Sequence, residues 1–487
     1  MIKTVTDARA SLAGIRPGGA KLAAKVADRM VADIAQLGWP EGRVVGSEPQ
    51  LVERYGVSRA VFREAVRLVE HKHVARMRRG PGGGLVVSPP SVDSVTDAVA
   101  VYLFYVGAEI DEVFEARIAL EGTAAELAPA RLEESHIAAL RSVVQREADG
   151  TIVDHRELHI LVAAITGNPA LELFVDLLNR VTLLYLPPSV RVTSKTLAES
   201  AAAHAAIVDA IVAGDESQAR RRMRRHLEAE AEYLRSRRPS QRRLADFAEV
   251  VGRSDKRAEL TARRILNEVT AAGWPVGRLL GSEAELIDRY GVSRAVLREA
   301  VRVLEHHQVV RMRRGPGGGL FVAEPGASAV TEAVALQVDR NGIQPNELFE
   351  VRGAVEMAVL DRATASLARS GGGARAAVAA AAAARLETAL ATERMATRAE
   401  FPTVGHDLHD VLAEVAGNRV LELLTMVLTR LTRLHAAVPA EAPDPLPTRE
   451  TVTDVHQRIV DAIVAGDVDL ARHRMRRHLD ALVDWVR

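Results

Sequence analysis

The feature that most constrains this chain is that much of its sequence occurs twice. Residues 54–85 read RYGVSRAVFREAVRLVEHKHVARMRRGPGGGL and residues 289–320 read RYGVSRAVLREAVRVLEHHQVVRMRRGPGGGL, identical at 26 of 32 positions. Upstream, LGWPEGRVVGSE (37–48) is answered by AGWPVGRLLGSE (272–283). Far downstream, HAAIVDAIVAGDESQARRRMRRHL (204–227) is answered by HQRIVDAIVAGDVDLARHRMRRHL (456–479). The offset is 235 residues at the first pair and 252 at the last. That is too long for a stacked solenoid unit, so a multidomain block has been duplicated. At ~100–200 residues per domain, a chain of 487 residues suggests about three or four domains. We place them at 15–90, 91–236, 255–325 and 326–487, with the charged, Pro239-containing stretch 237–254 as linker. The Gly/Ala run 371–384 reads as a glycine turn entering a helix, and PAEAPDPLP (439–447) as a loop.

In the first copy Leu22, Val26, Met30 and Ile34 recur at helical spacing, which predicts a helix over 20–37 stopped by Gly38 and Pro40. Ser47 caps a short helix, 48–55, that Gly56 ends, and Ser58 caps a longer one, 59–72. Two short helices joined by a tight glycine turn make a helix-turn-helix. In the second helix Val61, Ala65, Leu68 and Val69 are placed inward, with Arg59, Arg63 and Arg67 on the opposite side. A strand at 74–78, the turn RGPGGG (79–84) and a strand at 85–87 then form a hairpin, or wing, carrying Arg76, Arg78 and Arg79. Its glycines let backbone approach a groove closely.

The whole chain has zero net charge, yet Ser58–Arg79 has seven Lys/Arg against two Asp/Glu, and Ser293–Arg314 six against two. A local excess of this kind is what neutralising duplex phosphates requires. The expected DNA contacts are Ser58, Arg59, Arg63, Arg67, Arg78 and Arg79, with Ser293, Arg294, Arg298, Arg302, Arg313 and Arg314 in the second copy. A solvated helix face would explain one arginine-rich helix. It does not explain cap, turn, helix and basic hairpin occurring together twice. GPGGG is not a phosphate loop, because no Lys-Ser/Thr follows it. With no nucleophile or general-base motif either, the chain is not expected to be an enzyme. The remaining rival is a helical interaction protein with vestigial heads.

The absence of cysteine excludes disulfides and thiolate metal sites. No run approaches the ~20 apolar residues of a membrane span, and no signal peptide is recognisable. A cytoplasmic protein without a membrane partner is expected.

The GSE, YGVSRAV-REA and RMRRGPGGG segments resemble the GntR family of bacterial transcription regulators. The resemblance implies that Arg59, Arg63 and the wing tip Gly82–Gly83 touch DNA, with Arg294, Arg298 and Gly317–Gly318 in the second copy. One departure is that Pro49 and Ala284 stand where the family often has an arginine contacting DNA.

Beyond each wing the sequence is helical, at roughly 91–106, 110–130, 133–148, 151–166, 169–186, 196–213 and 215–235 in the first copy. The fold class expected is therefore mainly α: two winged helix-turn-helix domains and two all-α bundles. Arg117 with Glu121, the segment 158–171 (LH…TGNPAL), and the runs 204–215 and 219–227 resemble the FCD effector domain of the FadR subfamily. Many such domains hold a divalent metal with one Asp and three His. The resemblance maps the histidines onto His159, His204 and His226, and onto His409, His456 and His478. The Asp is replaced by His155 in the first half and by Gly405 in the second, where His406 lies nearby. His155 and His159 form an i,i+4 pair, and trading a carboxylate for an imidazole favours Zn²⁺ or Ni²⁺ over Mg²⁺ or Ca²⁺. A core or capping role for these histidines is the alternative. Arg117 and Arg352 either grip an effector carboxylate bidentately or pair with Glu121 and Glu356. Asn168 and Asn418 either face the effector or cap helices. The partners implied are a double-stranded DNA operator, a small organic acid or acyl effector, and a second copy of the fused chain if it dimerises.

Overall fold

The computed structural model describes residues 18–72, 74–78, 80, 82–88, 91–151, 154–185, 193–236, 257–313, 315, 317–368, 374–396, 407–435 and 449–486. Arg79, Arg314, His406, the glycine turn 371–373, the linker 237–254 and the loop 439–447 lie outside the described residues.

The amino-terminal head runs α1 (Gly18–Gln36), β1 (Val44–Gly46), α2 (Glu48–Tyr55), α3 (Arg59–His71), β2 (Ala75–Arg78) and β3 (Gly84–Val87). Its body is α4 (Val92–Val106), α5 (Ile110–Leu127), a 3-10 turn (Ala128–Arg131), α6 (Glu134–Ala148), α7 (Glu157–Ile165), α8 (Pro169–Leu184), α9 (Ser194–Val212) and α10 (Glu216–Ser236). The second head repeats the order: α11 (Arg257–Ala271), β4 (Leu279–Gly281), α12 (Glu283–Tyr290), α13 (Arg294–His306), β5 (Val310–Arg313) and β6 (Gly319–Val322). Its body is α14 (Ala327–Arg340), α15 (Pro345–Ala368), α16 (Ala374–Met395), α17 (Asp407–Ala416), α18 (Arg419–His435), α19 (Arg449–Val464) and α20 (Val468–Val486). No helix among the described residues is long and apolar enough to cross a membrane.

Local chemistry explains the heads. The Ser58 hydroxyl accepts from the Val61 amide and starts α3, as Ser293 does from Val296 for α13. Gly56 and Gly291, at φ +62° and +63°, end the preceding helices in the left-handed region that glycine enters without strain. The wing has a third strand that the sequence reading missed: each sheet orders its strands β1-β3-β2 or β4-β6-β5, all antiparallel. This strand gives the glycine at the start of β3 and β6 its reason. A Cβ on Gly84 would sit 2.4 Å from the Gly46 carbonyl oxygen, and one on Gly319 2.6 Å from that of Gly281.

Two local expectations are corrected. The buried stripe of α3 is Phe62, Ala65, Val66 and Val69, with Val61 and Leu68 at its half-buried margins. Two apolar stripes lie side by side on this helix, and packing against α1 selects the one carrying the larger Phe62. The expected helix at 151–166 begins only at Glu157. Asp154 accepts from the Arg156 amide and grips its guanidinium, which holds 154–156 in a turn before the helix.

The bodies pack through their long helices. α5 lies on α8 and α10, α15 on α18 and α20, and α5 and α15 lie against each other. The contact between the bodies is reciprocal. The Asn168 amide donates to Glu350 Oε2 (2.6 Å) and to the Glu347 carbonyl (3.0 Å). The Asn418 amide donates to Glu115 Oε2 (2.6 Å) and to the Glu112 carbonyl (3.2 Å). Arg131 joins the first set through Glu350, and Arg362 the second through Glu115. Each half thus offers the other the same groups, as in a two-fold interface.

The heads are crossed over this base. Trp274 of the second head packs at a tilt against Phe104 and Tyr105 of α4, with ring centroids 5.8 and 5.7 Å away. The Tyr105 hydroxyl also donates to Glu324 at 3.2 Å. In the first head, Leu336 from α14 of the second half joins the cluster of Met30, Trp39 and Phe62. Lys72 Nζ lies 3.8 Å from Glu332 of the same helix.

Candidate nucleic-acid interface and buried histidine clusters

On α3 and α13 the arginines of the sequence reading are exposed. The side chains of Arg63 and Arg67 keep 67% and 62% of their accessible area, those of Arg294, Arg298 and Arg302 67%, 61% and 75%. Arg59 is exposed as well. Several have carboxylate neighbours: Arg63 with Glu48 (2.9 Å), Arg67 with Glu64 (2.9 Å), Arg298 with Glu283 (2.8 Å) and Arg302 with Glu299 (3.0 Å). Pairs this exposed are worth about 0–1 kcal/mol, so a phosphate can displace the carboxylate. On the wings, Arg78 donates to the Gly82 carbonyl at 3.0 Å, and the Arg313 guanidinium lies 4.4 Å from the centre of the Phe321 ring. Gly83 and Gly318 close the tip turns by donating to Gly80 and Gly315. Gly82 and Gly317, at φ +69° and +72°, have open space where a Cβ would point. A cleft of about 2520 Å³ is lined by Arg63 and Arg67 from one head and by Arg298, Arg302 and Arg311 from the other. Both recognition helices therefore open onto one space.

The histidines converge inside each body. His159 lies in the first turn of α7, His204 on α9 and His226 on α10, and all three are buried. One ring nitrogen from each falls within 4.8 Å of the others, and the same holds for His409, His456 and His478. Nε2 of His204 faces Nε2 of His226 at 3.1 Å, and Nε2 of His456 faces that of His478 at 3.3 Å. In each cluster two of the three histidines have a carboxylate at Nδ1. His159 Nδ1 lies 2.5 Å from Glu121 Oε2, and His204 Nδ1 2.7 Å from Glu147 Oε2. In the second half His409 Nδ1 lies 2.9 Å from Glu356 Oε2, and His456 Nδ1 2.8 Å from Glu393 Oε2.

The electrostatics follow from this arrangement. Burial pushes the Glu121 carboxyl up, but Arg117 and His159 overcome it and hold it down to about 2. Burial likewise opposes ionisation of Glu147, yet its bonds from His155 and His204 bring it to about 2. Glu356 is pulled down in the same way by Arg352 and His409. Burial, reinforced by neighbouring cations, pushes His226 and His478 well below the usual histidine range. These imidazoles are neutral at physiological pH. With Nδ1 donating to an ionised carboxylate, Nε2 of His204 keeps its lone pair inward, as metal-ligating histidines do. Three buried imidazoles, two of them with a carboxylate behind Nδ1, suit a nitrogen-preferring divalent cation, so the donor set fits.

Several expected site residues stand elsewhere. His155 does not join the cluster. It precedes α7, its side chain is 43% exposed, and its Nδ1 lies 3.7 Å from Glu147 Oε1, on the outer side of that carboxylate. Arg117 is engaged by protein: Nε donates to Glu121 (2.7 Å), Nη2 to Asn179 (2.9 Å) and Nη1 to Glu230 (3.3 Å). Arg352 donates to Glu356 (2.6 Å) and Thr432 (3.1 Å). Asn168 and Asn418 cap α8 and α18, their Oδ1 accepting from the amides two and three residues on, while their NH₂ groups reach the other body. Glu147 and Glu393 were missed. The repeat offset drifts from 235 to 252 residues, and these two stand 246 apart, so comparing the copies does not align them.

A head of three helices and a three-stranded wing, followed by a helical body around a buried ligand-type cluster, defines a DNA-binding regulator with a sensory domain. The FCD domain family matches residues 112–229 and again 347–481, and the family of bacterial regulatory proteins called gntR matches residues 258–322. The chain belongs to the GntR family of transcription regulators that carry FCD domains. Among its relatives are an HTH-type transcriptional regulator of Bacillus subtilis, YcbG, and the Uxu operon regulator of Haemophilus influenzae. The first is 25% identical over 47% of this chain and 89% of its own length, the second 25% identical over 44% and 75%. Among solved structures, Streptococcus agalactiae GntR is 22% identical and covers 43% of this chain and 99% of its own, with a TM-score of 0.33.

Proposed function

We propose that this regulator is a fused pseudo-dimer, in which one chain supplies both reading heads and both sensory bodies. The carrying observation is the reciprocal contact of Asn168 with Glu350 and of Asn418 with Glu115 between bodies of the same chain. Relatives matched over most of their own length span less than half of this one, which supports the same reading. Both heads bind one stretch of operator DNA, through Arg59, Arg63 and Arg67 and through Arg294, Arg298 and Arg302, with the wing tips alongside. DNA-bound, the protein acts in the cytoplasm.

In the bodies, His159, His204 and His226, and His409, His456 and His478, would hold a divalent cation such as Zn²⁺ or Ni²⁺. When bound, such a cation supplies a Lewis-acidic seat for an oxygen ligand. Glu121, Glu147, Glu356 and Glu393 orient the imidazoles. The effector class is a small organic acid or acyl derivative, and its binding shifts the heads through the body helices on which they rest. Coupling of ~1–3 kcal/mol suffices for such control.

The test is mass by light scattering, free and on a duplex holding one operator from the protein's own upstream region. One chain per duplex, with a free mass near 52.6 kDa, is the expected result. Two chains per duplex, with no monomer at working concentrations, overturn the pseudo-dimer.

A further inference from the structure

Two of the exposed arginines on each recognition helix are held in different ways. Arg67 and Arg302 meet Glu64 and Glu299 of their own helix through Nη1, at the tip of the guanidinium. Arg63 and Arg298 meet a carboxylate of the preceding helix through Nε, at the root of the group. The partners are Glu48 Oε1 at 2.9 Å and Glu283 Oε1 at 2.8 Å. These two glutamates open α2 and α12, directly after Ser47 and Ser282. Their side chains keep 31% and 30% of their accessible area, against 52% and 56% for Glu64 and Glu299. In the second head Glu283 Oε1 also lies 3.6 Å from Arg294 Nε.

The point of attachment decides which edge of the guanidinium meets DNA. A carboxylate at Nε orders the side chain and leaves the edge formed by Nη1 and Nη2 available. That edge matches the O6 and N7 acceptors of guanine. Ordering a long side chain beforehand also lowers the entropy lost on binding. A phosphate can open either kind of pair, but Arg63 and Arg298 have no need to let go. Arg67 and Arg302 must release a carboxylate from the tip, which suits a phosphate contact that carries no sequence information. Pro49 and Ala284, next after the glutamates, bring no side-chain donor. Base reading at this corner therefore falls to the guanidinium that each glutamate holds. The glutamates also have a cost, because a carboxylate on this face repels the phosphates that approach it. A group that lowers general affinity while ordering one base-reading side chain serves discrimination, which is a difference of affinities.

We propose that Glu48 and Glu283 are positioning residues for sequence reading, each aiming its arginine, Arg63 or Arg298, at a guanine in its half of the operator. Arg67 and Arg302 grip the backbone instead. This rests on the reading that both heads lie on duplex DNA. A guanidinium inside the groove displaces counterions as one on a phosphate does, so base preference rather than salt dependence separates the two roles.

The test presents the full chain with a pool of duplexes randomised over ~30 base pairs, about three helical turns, and sequences those retained. Wild type should enrich a guanine in each half of its site. Arg63→Ala/Arg298→Ala should lose both guanines, a bidentate pair being worth roughly 5- to 150-fold in discrimination. Glu48→Ala/Glu283→Ala should lose the same two preferences while binding a fixed non-specific duplex as tightly as wild type or more tightly, since two negative charges are gone. A folding defect would weaken both. Glu48→Gln/Glu283→Gln, which keeps an acceptor for Nε, should restore the guanines. Arg67→Ala/Arg302→Ala should keep them and weaken all duplexes alike. If Glu48→Ala/Glu283→Ala retains both guanines, or loses non-specific binding together with them, the glutamates do not aim the arginines. A wild-type motif without these guanines overturns the inference equally, and in each case the DNA reading stands. If wild type retains no duplex at all, the DNA reading fails and takes this inference with it.

Discussion

Glu147→Gln is the sharpest probe of the histidine clusters. The Glu147 carboxylate reaches His204 Nδ1 through both oxygens, at 2.9 and 2.7 Å, and its side chain is 1% exposed. Held to about 2, it is fully ionised at neutral pH. Glutamine keeps an acceptor for the Nδ1 proton but removes the negative charge that makes the imidazole a stronger donor to a cation. Losing such an outer partner typically weakens metal binding by ~10–100-fold, or about 1.4–2.8 kcal/mol. The second cluster is oriented by Glu393 instead, at 2.8 Å from His456. Only half of the bound ions should therefore weaken. Competition against a chelating indicator should turn from one phase into two, the weaker phase shifted 10–100-fold. Glu393→Gln should produce the mirror result, and the double variant should return to a single, weakened phase. If Glu147→Gln shifts both phases equally, or neither, the imidazole at position 204 is not a ligand oriented by this carboxylate and the cluster is a packing feature.

Other outcomes follow from the same geometry. Arg63→Ala and Arg298→Ala should each lower the salt slope of DNA binding by ~0.9 if each guanidinium neutralises one phosphate, and the double variant by about twice that. An unchanged slope in fluorescence anisotropy for Arg63→Ala alone would mean the first head does not lie on the duplex. Glu121→Gln leaves the Arg117 charge without its closest partner in a buried site and should destabilise the protein by about 3–5 kcal/mol in urea unfolding. A loss below ~1 kcal/mol would contradict the buried pair. In metal-free protein, stability should be full above pH ~6.5 and fall below it, because the unfolded chain takes up protons that buried His226 and His478 resist. Glu121 adds a further loss below its ordinary range, completed as pH falls through about 2. A flat urea midpoint between pH 7 and pH 5 would refute the histidine contribution.

How much of this was legible in the sequence depended on the range of the interaction involved. The caps Ser58 and Ser293, the stops Gly56 and Gly291, and the wing glycines are local events, and they stood in the sequence as they stand in the fold. The strand Val44–Gly46 was invisible because three residues carry no periodicity, and only its pairing with β3 defines it. The phase of α3 was read one residue off because Val61 and Phe62 are both apolar, and only α1 discriminates between them. The spacing of His155 and His159 implied a shared helix face. Asp154 turns the chain before that face begins. The capping role of Asn168 was readable from TGNPAL. Its second role was not, since Glu350 lies 182 residues away in sequence. Distant partners of this kind, Glu147 for His204 among them, exist only once the helices have packed.

The crossed placement of the heads links each histidine cluster to the head of the other half. Thr432, which accepts from Arg352, lies on α18, and α18 packs against α14. α14 contributes Leu336 to the apolar cluster of the first head and Glu332 to its Lys72. The second cluster is thus joined, through two packed helices, to the head at the other end of the chain. The first cluster stands in the matching relation to the second head, through α8, α4 and the packing of Trp274 on Phe104. Trp39 and Trp274 both hold φ at +55°, a conformation that a bulky side chain adopts only where its surroundings fix it. Each head therefore packs against the half it does not belong to in sequence. On the proposed reading, duplication without fusion would leave that contact to a bimolecular encounter. Fusion sets it by the effective concentration of a short tether. An effector read in either body then acts on the head of the other half.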